Sequence, residues 1–296
     1  MFENRKEELI NHLKVSGFLH DERIINAFKM IPMEEFIPRE IIQNDLLYRD
    51  MPQVFYFRSL VDKRTISAPH MISIMLEYLN LRVNDELLIL GSKSGFIAAI
   101  ASTLCSEGHV YIVESSEEVL EFTRANLMKT GFDTNVSLIH GNPLTMAGTE
   151  DLGPWDKILI PYQVEEKEVH PALQQLNDSG VLFAPIGDER LQFFTQIIRQ
   201  DGKYYGNRIS TVIFSSLEKN ITYLSQHVEF LKLLKMKDVK AYKESDVDDQ
   251  LAQFQQQLDS RKKTITREPV KIVYDSEAGD KLHEKYREET LIGADD

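Results

Sequence analysis

A single cysteine stands in 296 residues, and that scarcity removes whole classes of chemistry. Cys105 has no partner for an internal disulfide, and a cysteine-rich metal site is excluded. Its place at the end of "IAASTLC" assigns it to the interior as a small apolar side chain. Long apolar runs are missing too. No window reaches the roughly 20 residues that a membrane span needs, and the opening "MFENRKEELI" lacks the apolar stretch of a signal peptide, so a cytoplasmic protein with no membrane partner is expected. Positive charge is in short supply, with 34 Lys and Arg against 47 Asp and Glu and a net charge of -13. Phosphate contacts need clustered cations, so nucleic acid is disfavoured and a protein or peptide partner fits better. The 8 histidines show no close pairing with carboxylates, and "DVDD" at 246–249 lacks the glycine and terminal glutamate of a calcium loop; no metal is expected.

What remains is enough apolar content, 42% of the chain, for one large domain with an appendage. Leu9, Ile10 and Leu13 fall at helical spacing before Gly17. Asp21 can cap a second helix carrying Ile24, Ile25 and Phe28, which Pro32 ends. From 33 to 68 the text is irregular, with Pro38 and Pro52 barring long elements; such a connection often covers a site. Alternation follows. "ELLIL" leads through a glycine turn to a helix from about Gly95 to Cys105, and "HVYIV" leads to a helix that Ser115 and Glu118 would cap and Gly131 would stop. "VSLI", "KILI" and "VLFAPIG" supply three more strands, and "FFTQIIR" with "RISTVIF" a late hairpin. Strands alternating with helices predict an α/β, doubly wound, mostly parallel sheet with its ligand crevice at the carboxyl ends of the first strands. After Leu217 the composition turns polar. No glycine occurs between Gly206 and Gly279, so a mainly helical extension over 218–296 is expected, either docked on the main domain, used for association with itself or a partner, or in part disordered.

The most specific text is "RTISAPHM", Arg64 to Met71. It resembles the signature that precedes the cofactor domain in protein-L-isoaspartate O-methyltransferases, and the resemblance extends to "DERIINAFKMIPMEEFIP", "YRDMP", "GSKSGF", "HVYIVE", "WDKILI", "PALQQL" and "VLFAPIG", covering roughly residues 8 to 217 in order. It implies a seven-stranded, Rossmann-like class I methyltransferase fold, with a cap and substrate-side segment over 1–68, a core over 69–217 and the extension outside. It also implies that a methyl group passes from S-adenosylmethionine to the carboxylate of L-isoaspartyl residues in damaged proteins. Ser67 would orient that carboxylate, with Thr65, Ile66, Ala68 and His70 on the substrate side. Gly91, Ser92, Lys93, Ser94, Gly95, Glu114, Gly141 and Asn142 would form the cofactor side. A carboxylate is already ionised at pH 7, so positioning rather than a strong base is the requirement. Without the resemblance, "SAPHM" reads as a helix start, with Ser67 near the N-cap, Pro69 in the first turn and His70 structural.

On the cofactor side the chain departs from the pattern. Ile89 stands where an acidic residue is usual, Lys93 where a glycine is usual, and "GNP" (Gly141, Asn142, Pro143) where the family has Gly-Asp-Gly. Glu114 is kept at the end of "VYIVE", where a carboxylate can accept from both ribose hydroxyls, and Asn142 could still accept from the adenine amino group. For Lys93 the expectation is a packed stem with its ammonium in solvent; the alternative is a grip on the cofactor's carboxylate. Two other functions stay open: a non-catalytic family member that binds protein or peptide, and a methyltransferase for another peptide carboxylate.

Overall fold

Helical spacing at the N-terminus becomes two packed helices in the computed structural model, which describes residues 2–57, 63–146, 148–149, 151–217, 270–274 and 280–284. Helix α1 (Phe2–Val15) buries Leu9, Ile10 and Leu13, and α2 (Glu22–Met30) buries Ile24, Ile25 and Phe28. The Asp21 carboxylate caps α2 by accepting from the Arg23 N–H at 2.7 Å. The irregular stretch from 33 to 68 carries more order than expected. Two 3-10 turns (Met33–Phe36 and Arg39–Ile41) lead into an antiparallel ribbon of β1 (Gln53–Phe57) and β2 (Lys63–Ile66). Pairing between two short strands supplies that order, and periodicity within either strand is too brief to announce it.

The core alternates as predicted: α3 (Pro69–Leu79), β3 (Glu86–Leu90), α4 (Phe96–Leu104), β4 (His109–Glu114), α5 (Glu117–Thr130), β5 (Val136–His140), β6 (Trp155–Leu159), α6 (His170–Gln174) and β7 (Leu176–Gly187). The late hairpin is β8 (Gln192–Gln200) with β9 (Lys203–Val212). Strand β3 lies between β4 and β6, all parallel, so the chain reverses its direction of travel across the sheet there and leaves a crevice at the strands' carboxyl ends. Only β8 runs against its neighbours. Continuous apolar strands such as "ELLIL" suit burial on both faces, and α4 is buried along its length except at Thr103. Helix α5 begins one residue later than the capping-box spacing predicts: Ser116, not Ser115, accepts from the Val119 N–H at 3.3 Å. Gly131 ends it in the left-handed region.

The expected seven strands are all present, and an eighth joins them. Strand β10 (Ile272–Val273) comes from the extension and pairs in parallel with β9 at the sheet edge. The expected short strand and helix near the C-terminus thus fall at β10 and at a helical turn over 280–284. The helices expected over 218–269 lie outside the described residues. Around β10, the Arg208 guanidinium sits between the rings of Phe193 (4.9 Å) and Tyr274 (4.6 Å), and the Tyr274 hydroxyl donates to Glu166 at 2.9 Å. Further on, Asn207 donates to Asp280 at 2.7 Å, and His283 stacks on Tyr78 at 4.7 Å. Replacing Tyr274 with Ala is expected to cost about 1–2 kcal/mol, the sum of one cation–π contact and one charge-assisted hydrogen bond, in chemical denaturation. An unchanged midpoint would mean that this edge adds nothing to stability.

Candidate active site

The turn after β3 is shaped by close approach. Gly91 has φ 101°, and a Cβ there would lie 2.5 Å from Cε2 of Tyr162, so the tyrosine ring packs directly on the glycine. Gly95, with φ 89°, opens α4, and the Ser94 carbonyl accepts from Asn126 of α5 at 3.0 Å. Between them Lys93 holds φ 52°, a left-handed conformation that costs a side-chain-bearing residue about 1–2 kcal/mol.

Lys93 does not reach solvent as expected. It is only 6% exposed, with Nζ 4.1 Å from the centroid of the Tyr162 ring and 5.8 Å from that of Phe214. The left-handed backbone goes with a stem turned inward, and two rings distant in sequence, Tyr162 and Phe214, cover it with faces that attract a cation. Among the described residues its ammonium donates no hydrogen bond. Burial above all, then the nearby Arg64 guanidinium, draws its pKa down to about 7, with Glu114 pulling weakly the other way.

Glu114 is committed as well. One carboxylate oxygen accepts from the backbone N–H and the hydroxyl of Ser92, both at 3.1 Å. The other accepts from the Ser116 N–H at 3.0 Å and lies 3.7 Å from Arg64 Nη1. Both members of the Arg64–Glu114 pair are buried. The Asn142 amide oxygen accepts from the Leu144 N–H at 2.9 Å, an Asx turn that an Asn-Pro pair favours, and keeps a second lone pair. Gly141 donates its N–H to the Glu114 carbonyl at 3.0 Å.

On the other side of the crevice, β2 delivers Thr65, Ile66 and Ser67 to the start of α3. The N-cap is Ala68, with no side-chain cap, so Ser67 is not spent on the helix. Its Oγ is buried and has no hydrogen-bond partner among the described residues. His70 is held structurally: its Nδ1 lies 2.7 Å from Asp50, its N–H donates to the same oxygen at 2.9 Å, and its ring packs on Phe18. Burial alone would raise the Asp50 carboxyl, but the hydrogen bonds and charge of His70, with His12 behind, bring it below the usual range. A cleft of about 370 Å³ runs past Thr65, Ser67, Ala68, His70, Lys93 and Phe214. Ile66 points into the core instead, and Gly91, Ser92, Ser94, Gly95, Glu114, Gly141 and Asn142 do not line the cleft.

Three residues of the site were not singled out by sequence reasoning: Arg64, Tyr162 and Phe214. Arg64 carried a signal, standing beside Thr65 where the family's glycine-rich approach is absent. Tyr162 and Phe214 carried none, since their part is to cover a residue far away in sequence.

In the conformation described, Lys93 and Arg64 set positive charge beside the turn that would hold S-adenosylmethionine. The sulfonium of that donor would enter beside a buried ammonium and a buried guanidinium balanced by one carboxylate, and Ile89 at the end of β3 supplies no counter-charge. A sulfonium brought within about 4–8 Å of a charged Lys93 would be repelled by on the order of 2–4 kcal/mol at an effective dielectric constant of 20, a cost that the lysine, with its pKa drawn down to about 7, escapes by giving up its proton.

Comparison with known proteins places this arrangement. The family model for Protein-L-isoaspartate(D-aspartate) O-methyltransferase matches residues 4–222. The Ignicoccus hospitalis protein-L-isoaspartate O-methyltransferase is 32% identical over 218 residues, 73% of this chain and 98% of the relative. That of Methanopyrus kandleri is 33% identical over 193 residues, 65% and 81% respectively. Among solved structures, a protein-L-isoaspartate O-methyltransferase at 25% identity superposes with a TM-score of 0.65 over 76% of this chain and 69% of its own. A Plasmodium falciparum candidate of the same class, in complex with S-adenosyl-L-homocysteine, gives 0.62 at 24% identity over 72% and 98%.

Proposed function

The chain belongs to the protein-L-isoaspartate(D-aspartate) O-methyltransferase family, and from that premise we propose that it acts on the free carboxylate of L-isoaspartyl residues in damaged proteins or peptides, by S-adenosylmethionine-dependent O-methylation. The observation that carries this is the Ser67 hydroxyl, buried on a cleft and without a partner. A buried hydroxyl left open is costly unless a ligand completes it. Donating to one carboxylate oxygen, it would fix the anion and leave the second oxygen free as the nucleophile. Thr65, Ala68 and His70 shape the same wall, with His70 locked by Asp50 rather than acting as a base; Ile66 supports the wall from the core.

The donor side in this proposal is the turn Gly91, Ser92, Lys93, Ser94 and Gly95 with Glu114, Gly141 and Asn142, and the Lys93 ammonium must leave its present place for a sulfonium to enter. The family-class structure from Plasmodium falciparum, which holds S-adenosyl-L-homocysteine, supports the choice of donor. A second function, recognition of the carboxylate without methyl transfer, is favoured by that same lysine. Residues 1–217 form the methyltransferase-like unit in this proposal, and 218–296 an extension that could bring a protein partner. A cytoplasmic setting is part of this proposal; no helix among the described residues is long and apolar enough to cross a membrane.

Methyl transfer from labelled S-adenosylmethionine to an isoaspartyl peptide, with its aspartyl isomer as control, tests the enzyme. Transfer to the isoaspartyl peptide alone is expected, with kcat/KM reduced roughly 10- to 100-fold by Ser67→Ala, the value of a hydrogen bond to a charged group. No transfer to either peptide would overturn the enzymatic function and leave recognition.

A further inference from the structure

Three donors stand open on one cleft, the buried Tyr162 hydroxyl among them. Ser67 Oγ is buried with no partner, and Lys93 is a buried ammonium that lines the same cleft and donates to no acceptor among the described residues. A buried cation without an acceptor is expensive, and it is held here by a left-handed backbone that glycine would adopt freely. The local charges are also uneven. Among the described residues, Arg64 and Lys93 face one carboxylate, Glu114, whose oxygens also accept from Ser92 and Ser116. Among the described residues no acidic side chain lines the cleft, while Lys63 adds further positive charge to its wall. Beyond the polar end, Met71, Ile213 and Phe214 give the cleft an apolar side that suits the body of a peptide.

We propose that Lys93 anchors the substrate carboxylate: a peptide carboxylate binds between the Ser67 hydroxyl and the Lys93 ammonium, and does so with no methyl donor present. The proposal rests on the carboxylate function assigned to Ser67, and it adds a binding cation where the family's turn has none. In the donor-free complex two donors of different kinds match the two oxygens of one carboxylate, whose charge offsets two cations that face one anion among the described residues; methyl transfer would need the ammonium to withdraw and free the second oxygen. Methylating the carboxylate would remove the charge and one acceptor oxygen, so the ester should be released.

Calorimetric titration of the full chain with an isoaspartyl peptide, without donor, tests this. The wild type is expected to bind the peptide, and to bind its methyl ester roughly 10- to 100-fold more weakly. Lys93→Met should weaken binding of the free carboxylate by a similar factor and abolish the preference over the ester; Lys93→Arg should restore part of both. The groups that face Lys93 are Arg64 from β2, Glu114 from β4 and Tyr162 after β6, with Lys63 and His70 on the cleft wall. With the ammonium drawn down to about 7 before ligand arrives, wild-type affinity should fall as pH rises above that value, and the Lys93→Met variant should lack that fall. Equal affinity of wild type and Lys93→Met for the free carboxylate would overturn the anchor, as would failure of the wild type to bind without donor. Either result leaves the methylation assay with Ser67→Ala to judge the enzymatic function by itself.

Discussion

Replacing Lys93 with Met is expected to raise the thermal midpoint at pH 7, and the gain should shrink as the pH is raised. The sign follows from proton linkage. In the unfolded chain the lysine titrates near 10.5, whereas burial draws it down to about 7 in the folded protein. Between those values the unfolded state holds a proton that the native state has lost, so wild-type stability climbs with pH across that window. Below about 7 both states are charged, and the native state bears the full cost of the buried cation. That cost is on the order of several kcal/mol at its upper limit, and a few kcal/mol once the site's own relaxation is allowed for. At about 2–4 °C per kcal/mol for a domain of this size, the variant should melt several degrees higher at pH 6–7. Met keeps the volume and the contact with Tyr162, so the comparison isolates charge. Lys157, also buried with its pKa lowered mainly by burial, titrates on the same side of its ordinary value. Only the difference between wild type and variant therefore reports Lys93. A midpoint that is equal or lower in Lys93→Met at pH 6 would remove the case for a costly ammonium.

The second large effect has the opposite sign. Glu114→Ala should cost about 3–5 kcal/mol or prevent folding, because it strands Arg64 without its buried counter-ion. It also leaves the Ser92 and Ser116 N–H groups and the Ser92 hydroxyl without their acceptor. The variant that separates charge from hydrogen bonding is the double substitution Glu114→Ala with Lys93→Met. Removing the second cation should recover roughly 1–3 kcal/mol of the loss, a coupling that chemical denaturation of the four-member cycle measures directly. Strict additivity would mean that Lys93 and Glu114 do not sense one another.

Much of this was legible in the sequence, and the limits have physical causes. Strands such as "ELLIL" and "VLFAPIG" declare themselves because a doubly covered parallel sheet demands continuous apolar runs, and the caps at Asp21 and Gly131 follow from chemistry local to a few residues. Ser67 and the turn after β3 were found because they sit in contiguous motifs. What escaped depends on contacts across the chain. Lys93 reads as an ordinary surface lysine until the Tyr162 ring, 69 positions along, covers it. The hydrogen bonds that Glu114 accepts from Ser92 and Ser116, and Asn142 from Leu144, are set by the folded turns and add to the cofactor-side role expected of both residues. The ribbon of β1 and β2 is likewise defined by pairing rather than by pattern.

The β10 strand has a consequence of a different kind. It is a two-residue strand laid on β9, too short to bind such an edge from free solution. Being part of the same chain, it behaves as a ligand whose effective concentration is independent of how dilute the protein is. The chain thus shields the beginning of the β9 edge, at Tyr204 and Tyr205, from another molecule's strand. Any competitor for that edge must first outbid an intramolecular partner, and removal of the segment would convert a private contact into a concentration-dependent one.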